Sequence, residues 1–445
     1  MTDQPKQEQP GAVPETARRA GEIRSRWDWV EESVWTERML EALEQGVKGG
    51  RWYSLMDKMV REANLRAGFR EVKARRGAPG VDHVTVEQFE QHLDENVEKI
   101  GRQLADGTYR PQANRRKWMD KPGSREKRPL GIPTVRDRVT QTALQQVTEP
   151  IFERDFAEHS YGFRPKRGCK NALRRVQQLL ERGYVWVVDA DIRSYYDRIP
   201  KPALLQRVAE KVADSRVLRL LSDFLDQEIM EGLKHWTPEE GTPQGAVISP
   251  LLSNIYLNPL DHLMAEAGYE MTRYADDFVI LCQTEEQARE ALAKVEQWMT
   301  ENQLELHPEK TRIVDAGEAS GFDFLGYHFE RGYRWPRKKS VQKIQENLRR
   351  KTKRSHGASL DVIIADVNRT LRGWFEYFKQ SHWTAFRPLD GWVRERLRSI
   401  LRKRHKRTGR ATGKDHRRWP NAYFAKQGLF SLELAHAQAC QSSRR

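Results

Sequence analysis

RYADDF, residues 273–278, reads as the tip of a β-hairpin, with Met271-Thr272 leading in and the apolar run Val279-Ile280-Leu281-Cys282 leading out. Two consecutive carboxylates at such a tip repel each other and lose hydration, and a divalent cation is the usual partner that holds them. Neighbouring side chains along a strand point to opposite faces, so a turn is where Asp276 and Asp277 can converge. An acidic turn by itself is most often only a solvated turn. A second stretch argues otherwise. Residues 184–192, YVWVVDADI, form an apolar strand that ends in acid, with Asp189 and Asp191 on one face. Burying a charge is costly unless it is paired. A strand-end carboxylate beside the hairpin would therefore complete a three-carboxylate metal site.

Around these two stretches the chain carries loops suited to phosphate and nucleic acid. Residues 115–133, RRKWMDKPGSREKRPLGIP, read as a basic Gly/Pro loop that begins at Lys121 and ends at Arg128-Pro129, before a strand. Lysine meets phosphate as a point charge and arginine as a fork. SYGFRP at 160–165 sets two aromatics beside Arg164 and Lys166, a mixture that stacks and grips a strand. GTPQGAVISPLLSN at 241–254 reads as a turn opening a helix, with Gln244 at the helix start, where free N–H groups favour an anion. Thr284 and Gln287 form a capping-box pattern, and HPEKT at 307–311 places Lys310 in a turn.

The charge balance fits a polyanionic partner. The whole chain carries a formal +15; residues 331–445 hold 30 Lys and Arg against 8 Asp and Glu, which leaves the first 330 residues net negative. In that basic third, helical patterns interleave with Trp335, Trp374, Trp383, Trp392 and Trp419, and Arg402, Lys403, Arg404, Lys406 and Arg407 follow as a basic run. No run approaches the roughly 18 apolar residues of a membrane span. The three cysteines, Cys169, Cys282 and Cys440, are too scattered for a disulfide framework or a zinc pair, so a reducing, cytoplasmic setting is expected. Residues 1 to about 25 are rich in Gln, Pro, Glu and Gly and are expected to be disordered.

The order GAPGVD, KRPLGIP, SYGFRP, VVDADIRSYYD, GTPQGAVISPLLSN, RYADDF, HPEKT and FLGY, followed by GWFEYF at 373–378, resembles the group II intron-encoded reverse transcriptases of bacteria. The likeness runs over roughly residues 50–410. It implies an α+β right-hand polymerase with a small antiparallel palm sheet, helical fingers and a helical thumb. The implied segments are an extension at 1–48, fingers and palm at 49–334, a thumb (maturase) domain at 335–402 and a basic DNA-binding segment at 403–445. Some members end in a His-Asn-His endonuclease with cysteine pairs. This sequence shows no such pairs, so the endonuclease is expected to be absent, as in the class C members.

The resemblance also implies roles for residues. Asp191, Asp276 and Asp277 are similar to the catalytic carboxylates that bind two Mg²⁺, with the Ile192 carbonyl as a further ligand. Lys121, Arg128, Tyr196, Gln244 and Lys310 resemble the nucleotide-binding set, Tyr196 standing where an aromatic excludes a ribose 2′-OH and Lys127 competing with Arg128. Phe324, Leu325 and Gly326 resemble the primer grip. Arg164 and the 402–407 cations are expected on nucleic acid. The implied partners are intron RNA, an RNA template with a DNA primer, a DNA target and deoxynucleoside triphosphates. The implied function is RNA-directed DNA synthesis with assistance to splicing and target-primed retrohoming. A repurposed reverse transcriptase and a splicing-only RNA-binding maturase are the alternatives.

Overall fold

The computed structural model describes residues 22–120, 127–407 and 411–442. Lys121 and the first 21 residues of the stretch expected to be disordered lie outside these residues; the last of that stretch, 22–25, is helical. Eleven strands are formed among those described: β1 (Asn114–Asp120), β2 (Lys127–Ile132), β3 (Trp186–Asp191), β4 (Ile229–Glu231), β5 (Lys234–Trp236), β6 (Glu270–Tyr274), β7 (Asp277–Cys282), β8 (Arg312–Asp315), β9 (Phe322–Phe324), β10 (Tyr327–Glu330) and β11 (Tyr333–Pro336). They make three small sheets, ordered β2-β1-β4-β5, β6-β7-β3-β8 and β11-β10-β9, and helices pack on the central one. The arrangement is α+β, as expected, and every pairing is antiparallel except β1 with β4.

The central sheet positions the site. β3 and β7 are apolar on both faces because both are covered: Val188 and Ile280 enter the large core, and Val187, Val279 and Leu281 enter a second cluster with Phe322, Phe324 and Tyr327. The large core begins at Trp27 and runs to Leu304, so the Trp27, Trp35, Leu40 and Leu43 stretch packs into the fingers. A separate core joins Ile344, Leu348, Val367, Leu371 and Phe386 to Trp419, Phe424 and Leu432. The helix Phe386–Arg404 is continuous, and Asp390 caps the last helix, Leu432–Ser442, by accepting from Leu432 N (3.0 Å) and Glu433 N (3.2 Å). A boundary at 402/403 therefore falls within a helix, and the residues beyond it share the thumb core. Among the described residues no helix is long and apolar enough to cross a membrane.

Two local expectations change. Arg128-Pro129 lies within β2 and not at the end of a loop; β2 is an edge strand, where a proline removes no ladder bond that the sheet needs. The helix after Gln244 begins at Ser249, five residues later, with Pro250 in its first turn. The amide groups of Val247 (2.7 Å) and Ile248 (3.4 Å), which lead into that helix, donate to Gln141 Oε1 and so are not free for a ligand.

The helix Val135–Glu153 carries a carboxyl with a stability consequence. Burial pushes Glu149 up from 4.5 to about 7, and the nearby Glu153 and Glu71 add to the push. Below pH 4.5 the group is neutral folded or unfolded, and nothing is lost. As pH rises from 4.5 to 7 the unfolded chain releases the proton while the folded chain resists. Glu149→Gln is expected to stabilise the protein by about 1–3 kcal/mol at pH 8 and to change little at pH 4.5. Denaturant midpoints at the two pH values test this, and an unchanged or lower midpoint at pH 8 would contradict it.

Candidate active site

The register of the central sheet brings the acidic residues together. Asp191 lies directly across from Asp277, and Tyr274 lies across from Asp277 on the other side. Opposed residues in an antiparallel ladder share a face, with Cβ atoms about 4.5–5.5 Å apart. The hairpin loop is the pair Ala275-Asp276, and Ala275 takes φ +60° while Asp276 does not show positive φ. That is the pattern of a tight II′ turn, which glycine normally fills.

The surroundings explain how alanine holds this conformation. Arg273 is fully buried and ion-paired with Asp261. Its Nη1 donates to the Ala275 carbonyl (2.8 Å) and to Asn254 Oδ1 (2.9 Å). Asn254 Nδ2 in turn donates to the Gly162 carbonyl (2.8 Å). Gly162 lies against the turn itself: a Cβ there would sit 2.2 Å from Ala275 N and 2.8 Å from the Tyr274 carbonyl carbon. The hairpin is thus clamped from beneath by Arg273 and from the side by a glycine. Sequence reasoning missed both residues. The available signal was an arginine in an apolar strand and an aspartate in the otherwise apolar helix Ser249–Glu266.

The carboxylates are electrostatically strained. Burial raises Asp276 above the usual range; Asp191 raises it further, and Arg128 and Arg273 oppose. Asp277 is pushed up to about 7 by desolvation and then by Asp276, Asp189 and Asp191, although its side chain still meets solvent at the cleft. Asp189 is engaged by Arg312 at 3.2 Å. Asp191 is engaged by the Lys310 ammonium. Among the described residues no three carboxylate, histidine or cysteine side chains are already drawn into metal-holding geometry. Asp191 and Asp277 face each other across the ladder, Asp276 sits at the adjoining turn, and the Lys310 ammonium lies on Asp191. The donor chemistry nonetheless suits a hard divalent ion: oxygen ligands that repel one another in a partly dry cleft. The Ile192 carbonyl is placed to join them. The Asp191 carbonyl accepts from His307 N (2.7 Å) and Arg193 N donates to Glu305 O (2.9 Å), so Ile192 turns its own carbonyl to the opposite edge, the hairpin's.

The nucleotide-binding candidates that are described gather beside this centre. Gln244 Nε2 donates to Asp197 Oδ1 (2.8 Å), and its Oε1 accepts from Arg128 Nε (3.1 Å). Tyr196 is half-buried, in an edge contact with Tyr195 at 5.4 Å, and Tyr195 OH donates to the Ser253 carbonyl (2.8 Å). Phe324, Leu325 and Gly326 close the β9–β10 hairpin, and Leu325 and Gly326 both take positive φ, +46° and +83°. That turn is tied to the thumb. Leu325 O accepts from Tyr377 OH (2.6 Å), and Gly326 O accepts from Arg337 N (3.0 Å) and Ser340 Oγ (3.1 Å). A cleft of about 660 Å³ opens there, lined by Asp277, Leu325, Gly326, Arg337, Lys343 and Arg369.

Two nucleic-acid candidates are corrected. Arg164 is buried and spent on Glu153 (2.8 Å) and on the carbonyls of Ala157 (2.6 Å) and Ser160 (2.8 Å), so it braces a turn and does not reach a ligand. Arg402 is buried and ion-paired with Asp415, because the 411–418 segment folds back on the helix. Lys403, Arg404, Lys406 and Arg407 stay exposed, Arg407 with a 3.1 Å pair to Asp415.

An acid-tipped hairpin beside an acidic strand end, on a small sheet between helical layers, defines a polymerase palm. Residues 119–329 match the family described as reverse transcriptase (RNA-dependent DNA polymerase), and residues 341–419 match the group II intron, maturase-specific domain. Protein YkfC of Escherichia coli (strain K12) is 31% identical over 331 residues, 65% of this chain and 84% of that protein. Group II intron-encoded protein LtrA of Lactococcus lactis subsp. cremoris is 37% identical over 180 residues, 40% of this chain and 30% of LtrA. A solved chain of a partial Cas6-RT-Cas1–Cas2 complex is 25% identical with a TM-score of 0.37, covering 57% of this chain and 43% of that one. The chain belongs to the group II intron reverse transcriptase–maturase family. The aligned stretch spans less than a third of LtrA's length.

Proposed function

We propose that this chain is an RNA-directed DNA polymerase that also binds a group II intron RNA, assists its splicing and copies it from a nicked DNA target. The observation that carries the polymerase reading is the register of β3 and β7, which sets Asp191 opposite Asp277 with Asp276 at the adjoining turn. In this reading a primer 3′-OH attacks the α-phosphate of a deoxynucleoside triphosphate and pyrophosphate leaves. Asp191, Asp276, Asp277 and the Ile192 carbonyl would hold two Mg²⁺, which when bound would supply charge neutralisation and acidify the attacking hydroxyl.

The chain's own residues position the reactants. Arg128 and Lys310 meet the triphosphate, and Lys310 leaves Asp191 to do so. Lys121 is assigned to the same task from the family likeness. Gln244, braced between Arg128 and Asp197, lies under the incoming base. Leu325 and Gly326 hold the primer end. The exposed Lys403, Arg404, Lys406 and Arg407 contact nucleic acid. Extension of oligo-dT on poly-rA with and without Mg²⁺ tests the whole assignment, and a purified chain inert in both would refute it.

Tyr196 is the proposed sugar gate, held rigid by Tyr195 and by the loop against its carbonyl, where Thr242 N donates at 2.7 Å. Tyr196→Ala is expected to raise ribonucleotide use relative to deoxynucleotide roughly tenfold or more. The ratio of kcat/KM for the two sugars measures it, and an unchanged ratio removes the gate role.

A further inference from the structure

Beneath the fingers sheet, reaching up to Gln244 and Asp197, lies a cavity of about 210 Å³. Its walls include Asn114 and Arg116 from β1, Ile229 from β4, Trp236 from β5, and Glu240 and Thr242 from the following loop; Asp197 and Gln244 form its rim. Two polar side chains here are almost fully buried, Asn114 at 0% and Thr242 at 4% exposed. Among the described residues, Asn114 Oδ1 and Thr242 Oγ1 have no hydrogen-bond partner. Unpaired buried polar atoms are rare in native folds and call for a reason.

The orientation of the Asn114 amide is set by a relay. Gln227 Nε2 donates to the Gln112 carbonyl and to Asp137 Oδ2 (3.4 Å), both of which can only accept. Gln227 Oε1 must then accept from Asn114 Nδ2 (2.9 Å), which leaves Asn114 Oδ1 as an unused acceptor. The flat wall beside it is equally constrained. The Arg116 guanidinium sits 4.9 Å from the Trp236 ring and 5.0 Å from the Trp118 ring, and Trp118 Nε1 donates to Glu231 (2.6 Å). The cavity thus offers a flat wall of Trp236 and the Arg116 guanidinium, one fixed acceptor and one hydroxyl, with the Glu240 side chain beside them. It is smaller than the roughly 300–1,000 Å³ that holds a drug-sized ligand.

We propose that this cavity receives the unpaired base of the template nucleotide one step ahead of the base being copied. The inference rests on the polymerase reading above. In that reading the primer end lies at the Leu325-Gly326 turn and the thumb cleft, while the incoming nucleotide lies at Gln244, on the rim of this second cavity. Every base carries at least one N–H on its pairing edge for the Asn114 oxygen, and the Thr242 hydroxyl both donates and accepts. The site therefore takes any base and favours none strongly, as copying requires.

The test is single-nucleotide incorporation by the full chain on two RNA templates, one with a normal nucleotide ahead of the templating base and one with an abasic residue there. The wild type is expected to show an apparent primer–template KM about tenfold lower on the normal template. Trp236→Leu, which removes the flat wall, and Ile229→Phe, which fills the cavity, are each expected to shrink that difference to about twofold while still extending the abasic template as the wild type does. An active wild type that treats both templates alike overturns the pocket and leaves the polymerase reading intact. Retention of the full difference in both variants also overturns it. A wild type that extends neither template overturns the polymerase reading, and the pocket with it.

Discussion

Asp276→Asn is expected to lower primer extension by about a thousandfold or more, while intron RNA binding stays within about twofold of the wild type. The substitution keeps the shape of the turn and its backbone. It removes one negative charge from a cleft in which Asp191 raises the proton affinity of Asp276, and Asp276 and Asp191 both raise that of Asp277. A carboxylate that gathers a divalent ion contributes several kcal/mol of charge stabilisation in the transition state, and each 1.36 kcal/mol is a factor of ten. The exposed cations proposed to contact RNA, Lys403, Arg404, Lys406 and Arg407, lie on and just after another element and are untouched. Extension and splicing should be assayed on one preparation. Wild-type cDNA synthesis by Asp276→Asn would remove the assignment. Full splicing by an extension-dead protein would show that binding and copying are separable, as the joined reverse transcriptase and maturase families lead us to expect.

Gly162→Ala is expected to lower extension about a hundredfold with a stability loss of only about 1–3 kcal/mol. The added methyl meets backbone at 2.2 Å, not a side chain that can swing aside. Overpacking of this kind costs about 1–3 kcal/mol, while a shift of about 1 Å at a reacting centre costs about a hundredfold. The control is Gly168→Ala, six residues on, where a Cβ meets nothing within 4 Å; that variant should behave as the wild type. Equal activity of the two alanine variants would show that the hairpin does not depend on this contact.

These two positions mark where sequence was informative and where it was not. The carboxylates could be read because charge at the end of an apolar strand has few structural reasons to exist, and Asp191, Asp276 and Asp277 all sit at such ends. Gly162 could not be read from its local pattern, because its role depends on a hairpin more than a hundred residues away in the chain. Arg273 stood inside the motif and was passed over, since its partner Asp261 is on the preceding helix.

Arg164 and Arg402 failed for the opposite reason. Arginine beside aromatics or in a basic run looks like a ligand contact, yet Glu153 and Asp415 lie within reach once the chain turns back. The strands β4 and β5 were missed because three residues cannot display an alternation. Gln244 was placed at a helix start because the Gly/Pro turn was read as opening the helix at once, whereas the chain runs on to Ser249.

The turn at Leu325-Gly326 has one more implication. Tyr377, Arg337 and Ser340 all lean on its two carbonyls, and Tyr327 OH reaches the Tyr377 carbonyl. A thumb that swings outward to free a jammed strand cannot leave this turn behind. If this turn holds the primer end as proposed, holding on and letting go are two settings of a single joint, and abandoning a stalled copy means loosening the very terminus from which synthesis would resume.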